Sequence, residues 1–452
     1  MMKKTMAVVL AATMGLSLAA CGGQEAPSNP VTTEAVSETA GESQETGGES
    51  QSAAETGKVL EAELEYWSNW SETENQALAL REAAGRFMAE NPGVKINFTF
   101  NGRDNRNLVG SAIAAGTKIT MMDANADNMR SMWPELMADL TPYFEQSYAY
   151  TDGEVYVDTI MPSMAKLSTD LFDGKYTYFP YAPQGFMIFC NKGIFEACGI
   201  ETYPQTWDEF LEVCETIKNA GYIPVTTDTA YSAGWTGYYL SRLMGEESVF
   251  ELANNPAAWS DERVLEAARA IEDMAKKGYF DPTLESNTYP NAQQSMVINE
   301  NIAMYINGTW LPNEVGDTTA EDFTWGAFPF PEVPGGVDGH NAGCYSSYGI
   351  AVNKDASPEE MDAAAAFGVY FTSEFDQEFS DMANAIPVQK DGVWPDNLKE
   401  AQDVLSNYDV RYFSQTALVR NNNSKQIILD ACTRLMGGSL SAEEFQKEAS
   451  KF

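Results

Sequence analysis

Histidine is nearly missing from this chain: His340 is the single one, set in a glycine-rich loop (GGVDGHNAGC). A hydrolytic triad with a histidine base, or a multi-histidine metal site, would rest wholly on that residue. No GxSxG, P-loop or GxGxxG stretch occurs, so His340 reads as a solvated surface residue. Basic residues are also few, 28 Lys and Arg against 66 Asp and Glu, a net charge of -38. A polyanion such as nucleic acid would be repelled, and no basic patch offsets that. The six cysteines (Cys21, Cys190, Cys198, Cys214, Cys344 and Cys432) show no CxxC spacing. That argues against a zinc site and a disulfide framework; buried thiols are the plain reading, although one pair could bridge. Asp123 to Asn128 (DANADN) begins like a calcium loop. It then has Asn128 where glycine is needed and Pro134 where the bidentate glutamate belongs. Glycoside hydrolysis needs only two carboxylates, but no motif selects a pair among 66 acids. Neither a metal, a cofactor nor catalysis is expected.

Long apolar runs are absent beyond the N-terminus. There, Lys3 and Lys4 precede an apolar stretch, Met6 to Leu16, which ends in Leu18-Ala19-Ala20-Cys21. The stretch is too short for a span and predicts an export signal over residues 1–20. Its last four positions resemble the bacterial lipobox, which implies cleavage before Cys21 and lipidation of that residue. The chain is then expected outside the cytoplasm, held on the outer face of the cytoplasmic membrane by acyl chains. Residues 21–57 follow with no aromatic, Lys or Arg and repeated Glu, Ser, Thr and Gly. Such a segment buries too little to order itself and is expected to be a disordered tether, roughly 30–36 Å long as a flexible coil.

From residue 58 the pattern becomes that of a folded chain too long for one core. Leu64 to Trp67 reads as a strand, and Ser71-Glu72-Thr73-Glu74 as a capping box for a helix with Ala77, Leu80, Ala84 and Phe87 on one face. Asn91-Pro92-Gly93 stops that helix, and Val94, Ile96, Phe98 and Phe100 alternate as a second strand. Strand, helix, strand predicts an α/β fold with mainly parallel sheets. Thr206 with Glu209, Ser357 with Glu360 and Ser441 with Glu444 give further capping boxes. Ala385 to Pro395 reads as a crossing rather than an element.

Aromatic residues make up 12% of the chain, nine of them Trp. Sugars present C–H faces that pack on rings and hydroxyls that pair with amides and carboxylates, so exposed Trp beside polar groups suits a sugar cleft. Trp67 continues the first strand and belongs to the core. Trp70, just beyond it where α/β sheets place ligands, fits either core or site. Trp235, between glycines in YSAGWTGYY, and Trp310, after Gly308-Thr309, are read as loop residues of the site.

Five stretches in order carry a family likeness: Asn91-Pro92-Gly93-Val94-Lys95-Ile96, Tyr176 to Gln184, Phe189 to Phe195, Tyr203 to Phe210, and Ala303 to Trp310. With these the chain resembles the family 1 extracellular solute-binding proteins, the carbohydrate-binding subunits of ABC importers that include maltose-binding protein. The resemblance implies a two-lobe periplasmic-binding-protein fold. Residues 58–183 plus 346–386 would form the N-terminal lobe and 184–345 plus 387–452 the C-terminal one. Three interlobe crossings fall near Ala182–Phe186, Cys344–Tyr348 and Ile386–Lys390. It further implies capture of a mono- or oligosaccharide and delivery to the transmembrane permease subunits. With the aromatic reading and this resemblance together, the expected ligand-binding residues are Asn69, Trp70, Glu72, Asp123, Asp127, Tyr181, Gln184, Trp235, Trp310 and Tyr345. The loop from Asp123 to Asp127 departs from the family, with Ile119-Thr120-Met121 in place of its usual Pro-Asp lead. Another small polar solute such as a polyamine, or a secreted glycosidase, are the alternative readings.

Overall fold

A computed structural model describes residues 59–452 apart from Pro290 and Ser414. The export signal, Cys21 and the tether lie outside the described residues. All described elements belong to one compact unit, Lys58–Phe452.

Nine strands form its sheet: β1 (Ala62–Ser68), β2 (Val94–Phe100), β3 (Met121–Asn125), β4 (Tyr178–Asn191), β5 (Ile223–Thr226), β6 (Ile302–Gly308), β7 (Trp325–Phe328), β8 (Ala342–Val352) and β9 (Val410–Tyr412). Their order is β2-β1-β3-β8-β4-β6-β5, with β7 beside β4 and β9 beside β8. The expected strand–helix–strand unit is present. β1 and β2 pair in parallel from Ala62 opposite Val94 to Ser68 opposite Phe100, joined by the helix Asn75–Glu90. Parallel pairs occur at both ends, β2-β1-β3 and β6-β5, as helical crossovers require. Antiparallel pairs arise in the middle, where the long strands β4 and β8 run alongside each other from Tyr178 to Phe186 of β4.

β4 changes neighbours along its length. Tyr178 to Phe186 pair with β8, and Phe186 to Asn191 lie between β6 and β7. Between Tyr181 and Gln184 the register slips, three residues of β4 advancing against two of β8. Ala182 takes a φ of 45° there, a left-handed conformation uncommon for a residue with a Cβ. This bulge lies in the first expected crossing, so the sheet bends where the chain passes from one half to the other. The third passage comes after Lys390, whose N–H still bonds Thr159 O, and before helix Lys399–Ser406, which packs on β7.

Two apolar cores follow the two sides. One gathers Leu64, Tyr66, Met121, Ile350, Phe367 and their neighbours and continues onto one face of β4 through Met187 and Phe189. The other takes Phe186, Ile188 and Cys190 on the opposite face, with Trp235, Ile306 and Phe330. β4 is buried on both faces apart from Gln184, which is why its second half, Phe186 to Cys190, reads as an apolar run.

The boxes at Thr206, Ser357 and Ser441 are formed reciprocally, and Gly221 takes the left-handed turn after helix Trp207–Asn219 with a φ of 92°. The box at Ser71 is not. The Glu74 carboxylate accepts the Ser71 N–H, but residues 71–74 form a separate turn closed by Glu74 N–H to Ser71 O, and the helix starts at Asn75. All five described cysteines are free thiols. Among the described residues no helix is long and apolar enough to cross a membrane, and no Asp, Glu, His or Cys cluster could hold a metal.

Candidate functional site

The strand ends around β4 and β8 border a cavity of about 1270 Å³. One aromatic group lies at the loop after β1. Trp70 stands 4.5 Å from Tyr348 of β8, ring centroid to centroid, and its Nε1 donates to Tyr181 Oη at 2.7 Å. The Arg103 guanidinium covers the Trp70 ring at 4.5 Å and donates to Asn69 O.

A second aromatic group lies at the end of β6. The Trp310 ring folds back over Gly308: a Cβ there would stand 2.1 Å from the indole. Only glycine leaves room for this pose, which puts the part-exposed ring beside Phe186 and Tyr231, each with centroids 6.3 Å away. Tyr231 is fixed from behind by Asp228, whose carboxylate accepts the N–H groups of Ala230 and Tyr231 and the Tyr305 hydroxyl.

Polar groups lie along the strands. Asn125 Nδ2 donates to Gln184 Oε1 at 3.3 Å, and Ser346 Oγ lies 3.3 Å from Asn125 Oδ1 and 3.2 Å from Asp127 Oδ2. Asp127 opens the helix Ala126–Met132 and is paired with Arg411 of β9.

Of the ten residues expected from the sequence, Trp70, Asp127, Gln184 and Trp310 border this cavity. Asn69, Asp123 and Tyr181 stand behind it, buried. Asp123 accepts from Tyr66 Oη, Ser68 Oγ and the Asn69 N–H at 2.9, 2.8 and 2.5 Å. Burial pushes its carboxyl up to about 6, although those hydrogen bonds favour the charged form. Its geometry is that of a positioning residue holding the β1 loop, and of no calcium ligand. Glu72 is exposed and paired with Arg81. Tyr345 is fully buried in the first core, only its carbonyl reaching the site by accepting from Arg411 Nε at 2.9 Å. His340 is exposed beside Glu332 and does not border the cavity.

Trp235 corrects the loop reading. It lies inside helix Ala233–Met244, every residue of which is buried, against Phe210 and Phe330. Its flanking glycines mark close packing instead of a loop. A Cβ on Gly237 would strike the Thr416 side chain at 2.1 Å, and one on Gly234 would meet Ile306 at 2.9 Å.

The fold that carries these rings and amides is matched by known proteins. A profile of the bacterial extracellular solute-binding proteins fits residues 69–378. The chain belongs to that family. The multiple sugar-binding protein of Streptococcus mutans is 24% identical over 338 residues, 71% of this chain and 74% of that one. A family 1 extracellular solute-binding protein from Bifidobacterium longum subsp. infantis aligns with a TM-score of 0.64 at 20% identity, over 86% of this chain and 98% of that chain. A sugar transporter of Bacillus licheniformis, solved with stachyose, gives 0.59 at 19% identity over 86% and 98%. At such identities the likeness is one of fold, the two-lobe α/β architecture expected from the sequence.

For this solute-binding protein, sequence reasoning missed Arg103, Phe186, Tyr231, Ser346, Tyr348 and Arg411. Tyr231 and Tyr348 were within reach, since Tyr231 opens the stretch that holds Trp235 and Tyr348 closes the serine pair after Tyr345. Nothing around Arg411 marks it; its role depends on β9 joining β8.

Proposed function

We propose that this chain is the substrate-binding lipoprotein of an ABC importer, which captures a carbohydrate in the cavity and hands it to membrane permease subunits. The observation that carries this reading is the Trp310 ring, seated on Gly308 and part-exposed in a cavity that also holds Trp70 and the amides of Asn125 and Gln184. Rings of this kind receive the C–H faces of sugars, and the amides suit paired hydroxyls. A volume of about 1270 Å³ exceeds the range of roughly 300–1,000 Å³ usual for small ligands, which favours an oligosaccharide over a monosaccharide. The printed names of the Streptococcus mutans relative and of the stachyose complex point the same way.

The lobes divide near the boundaries expected from the sequence, except that residues 387–390 stay with the first, where Val388 is in the core and the Lys390 N–H bonds Thr159 O: 58–183 with 346–390, and 184–345 with 391–452. The β4 bulge serves as one of their hinges, and closure buries the sugar from both sides. Lipidated Cys21 and the acidic tether hold the chain on the outer face of the cytoplasmic membrane. The sugar leaves unaltered, because each carboxylate of the cavity is engaged by a neighbouring donor.

Thermal-shift screening of residues 58–452 against mono- and oligosaccharides tests the reading. A specific sugar at a hundredfold excess over Kd stabilises the native state by about 2.7 kcal/mol. A panel in which no sugar raises the melting temperature refutes it, and chromatographic change of a bound sugar moves the chain to the glycosidases.

A further inference from the structure

We propose that the saccharide taken by this cavity is anionic, carrying a carboxylate or a sulfate among its hydroxyls. This rests on the carbohydrate reading above and narrows its ligand. The observation is an inversion of charge. In the whole chain acids outnumber bases, 66 to 28, yet five residues bordering the cavity are Arg or Lys and three are Asp or Glu.

The three acids are already occupied. Asp127 is held by Arg411, itself outside those five, and Glu74 is bonded by Arg103. Glu314 accepts from Tyr289 and Gln293, and burial raises its pKa. Arg106, Arg130, Arg420 and Lys425 are left with no carboxylate partner among the described residues. Arg130 bonds only a carbonyl, Leu171 O, and Arg420 lies over the rings of Phe250 and Phe413 at 4.6 and 5.1 Å. Glu246 lies within electrostatic range of Arg420 without pairing with it, and burial pushes its own carboxyl up to about 7.

Guanidinium groups offer a planar fork of N–H donors that fits a carboxylate or sulfate in a bidentate way. Gathered in a concave site, they focus a positive potential within a negative molecule and steer an anion into it. A polyamine, itself a cation, would be repelled by that field and is disfavoured by the same residues.

Titration calorimetry on the full chain with three trisaccharides of one backbone, neutral, uronate and sulfated, decides the matter. The favoured anionic arm should bind at least about tenfold tighter than the neutral one, with the advantage shrinking in high salt. Which anionic arm wins identifies the group. Arg106→Gln and Arg420→Gln should each weaken the anionic ligand by a larger factor than the neutral one. Equal or tighter binding of the neutral trimer overturns the anionic assignment and leaves the carbohydrate reading standing. So does a preference for the anion that survives replacing Arg106, Arg420 and Lys425 together. Binding of no trimer at all, in a chain that still unfolds cooperatively, overturns both.

Discussion

Arg411 Nη2 stands 2.7 Å from each carboxylate oxygen of Asp127, joining β9 to the first turn of helix Ala126–Met132. Both side chains are largely out of water, 17% and 13% exposed, so the pair is desolvated and its partners depend on each other. Removing one leaves an uncompensated buried charge. Asp127→Ala should lose about 3 kcal/mol of stability in urea unfolding, the low end of the buried-pair range because some exposure remains. Replacing both with apolar residues of similar size, Asp127→Leu with Arg411→Met, should lose less than the single change. A single-mutant loss below about 1 kcal/mol would mean that the pair behaves as a surface one.

Trp310 and Trp235 should respond in opposite ways. Trp310→Ala removes a ring from the cavity and should weaken sugar binding by about 2 kcal/mol or more, roughly thirtyfold, with little effect on folding. Trp235→Ala empties a core site and should cost about 3–5 kcal/mol of stability. Gly308→Ala, whose Cβ meets the Trp310 ring at 2.1 Å, should displace that ring and reproduce the binding loss. Calorimetry paired with urea unfolding on the same three proteins reads this out. Intact affinity in the Trp310 variant would remove that ring from the ligand site.

Asp376 accepts the N–H groups of Val388 and Gln389 at 3.1 and 2.9 Å, just before the third passage of the chain. Burial pushes its carboxyl up to about 7. An unfolded Asp titrates near about 3.9, so the native state holds this proton more tightly. Between those two pH values the native chain binds more protons than the unfolded one. The contribution of Asp376 is therefore greatest below about pH 4 and is lost as pH rises through 7. Asp376→Asn keeps an acceptor oxygen and carries no charge. Its stability relative to wild type should rise from about pH 4 to 7 and level off above, measured by urea unfolding across pH. A difference that stays flat across this range would show that the carboxyl is ionised in the fold as easily as in the unfolded chain.

Cys21→Ser should leave the chain without its lipid, since the thioether needs that sulfur. Detergent-phase partitioning of the two proteins from cells should move the wild type to the detergent phase and the variant to the aqueous one. The same phase for both would refute the anchor.

Local signals in the sequence were sufficient where one short stretch sets the structure. The reciprocal boxes at Thr206, Ser357 and Ser441 satisfy backbone donors within four residues, so they form wherever the helix forms. The alternation of β2 and the helix before it likewise needed nothing from elsewhere in the chain. Ser71 shows the limit: its residues could cap a helix, but the turn at 71–74 won. Trp235 shows a larger one. Glycines beside it look like loop residues until Thr416 and Ile306 are seen packed against them, contacts that sequence spacing cannot announce.

The sequence by itself determined the α/β class, the first strand–helix–strand unit, the family, and that Trp310 stands two residues after a glycine. These depend on periodicity and on neighbours a few residues apart. Tertiary structure decided which polar and aromatic groups meet. It withdrew Trp235 and Tyr345 into the cores, set Asp123 behind the β1 loop, joined Arg411 to Asp127, and brought four unpaired cations to one cavity in an acidic chain. The middle of the cavity, with Gln184 set opposite Ser346, depends on β4 and β8 lying side by side. Pairing between strands so distant in sequence is chosen by the burial of both sheet faces at once, a property of the whole fold and of no single segment.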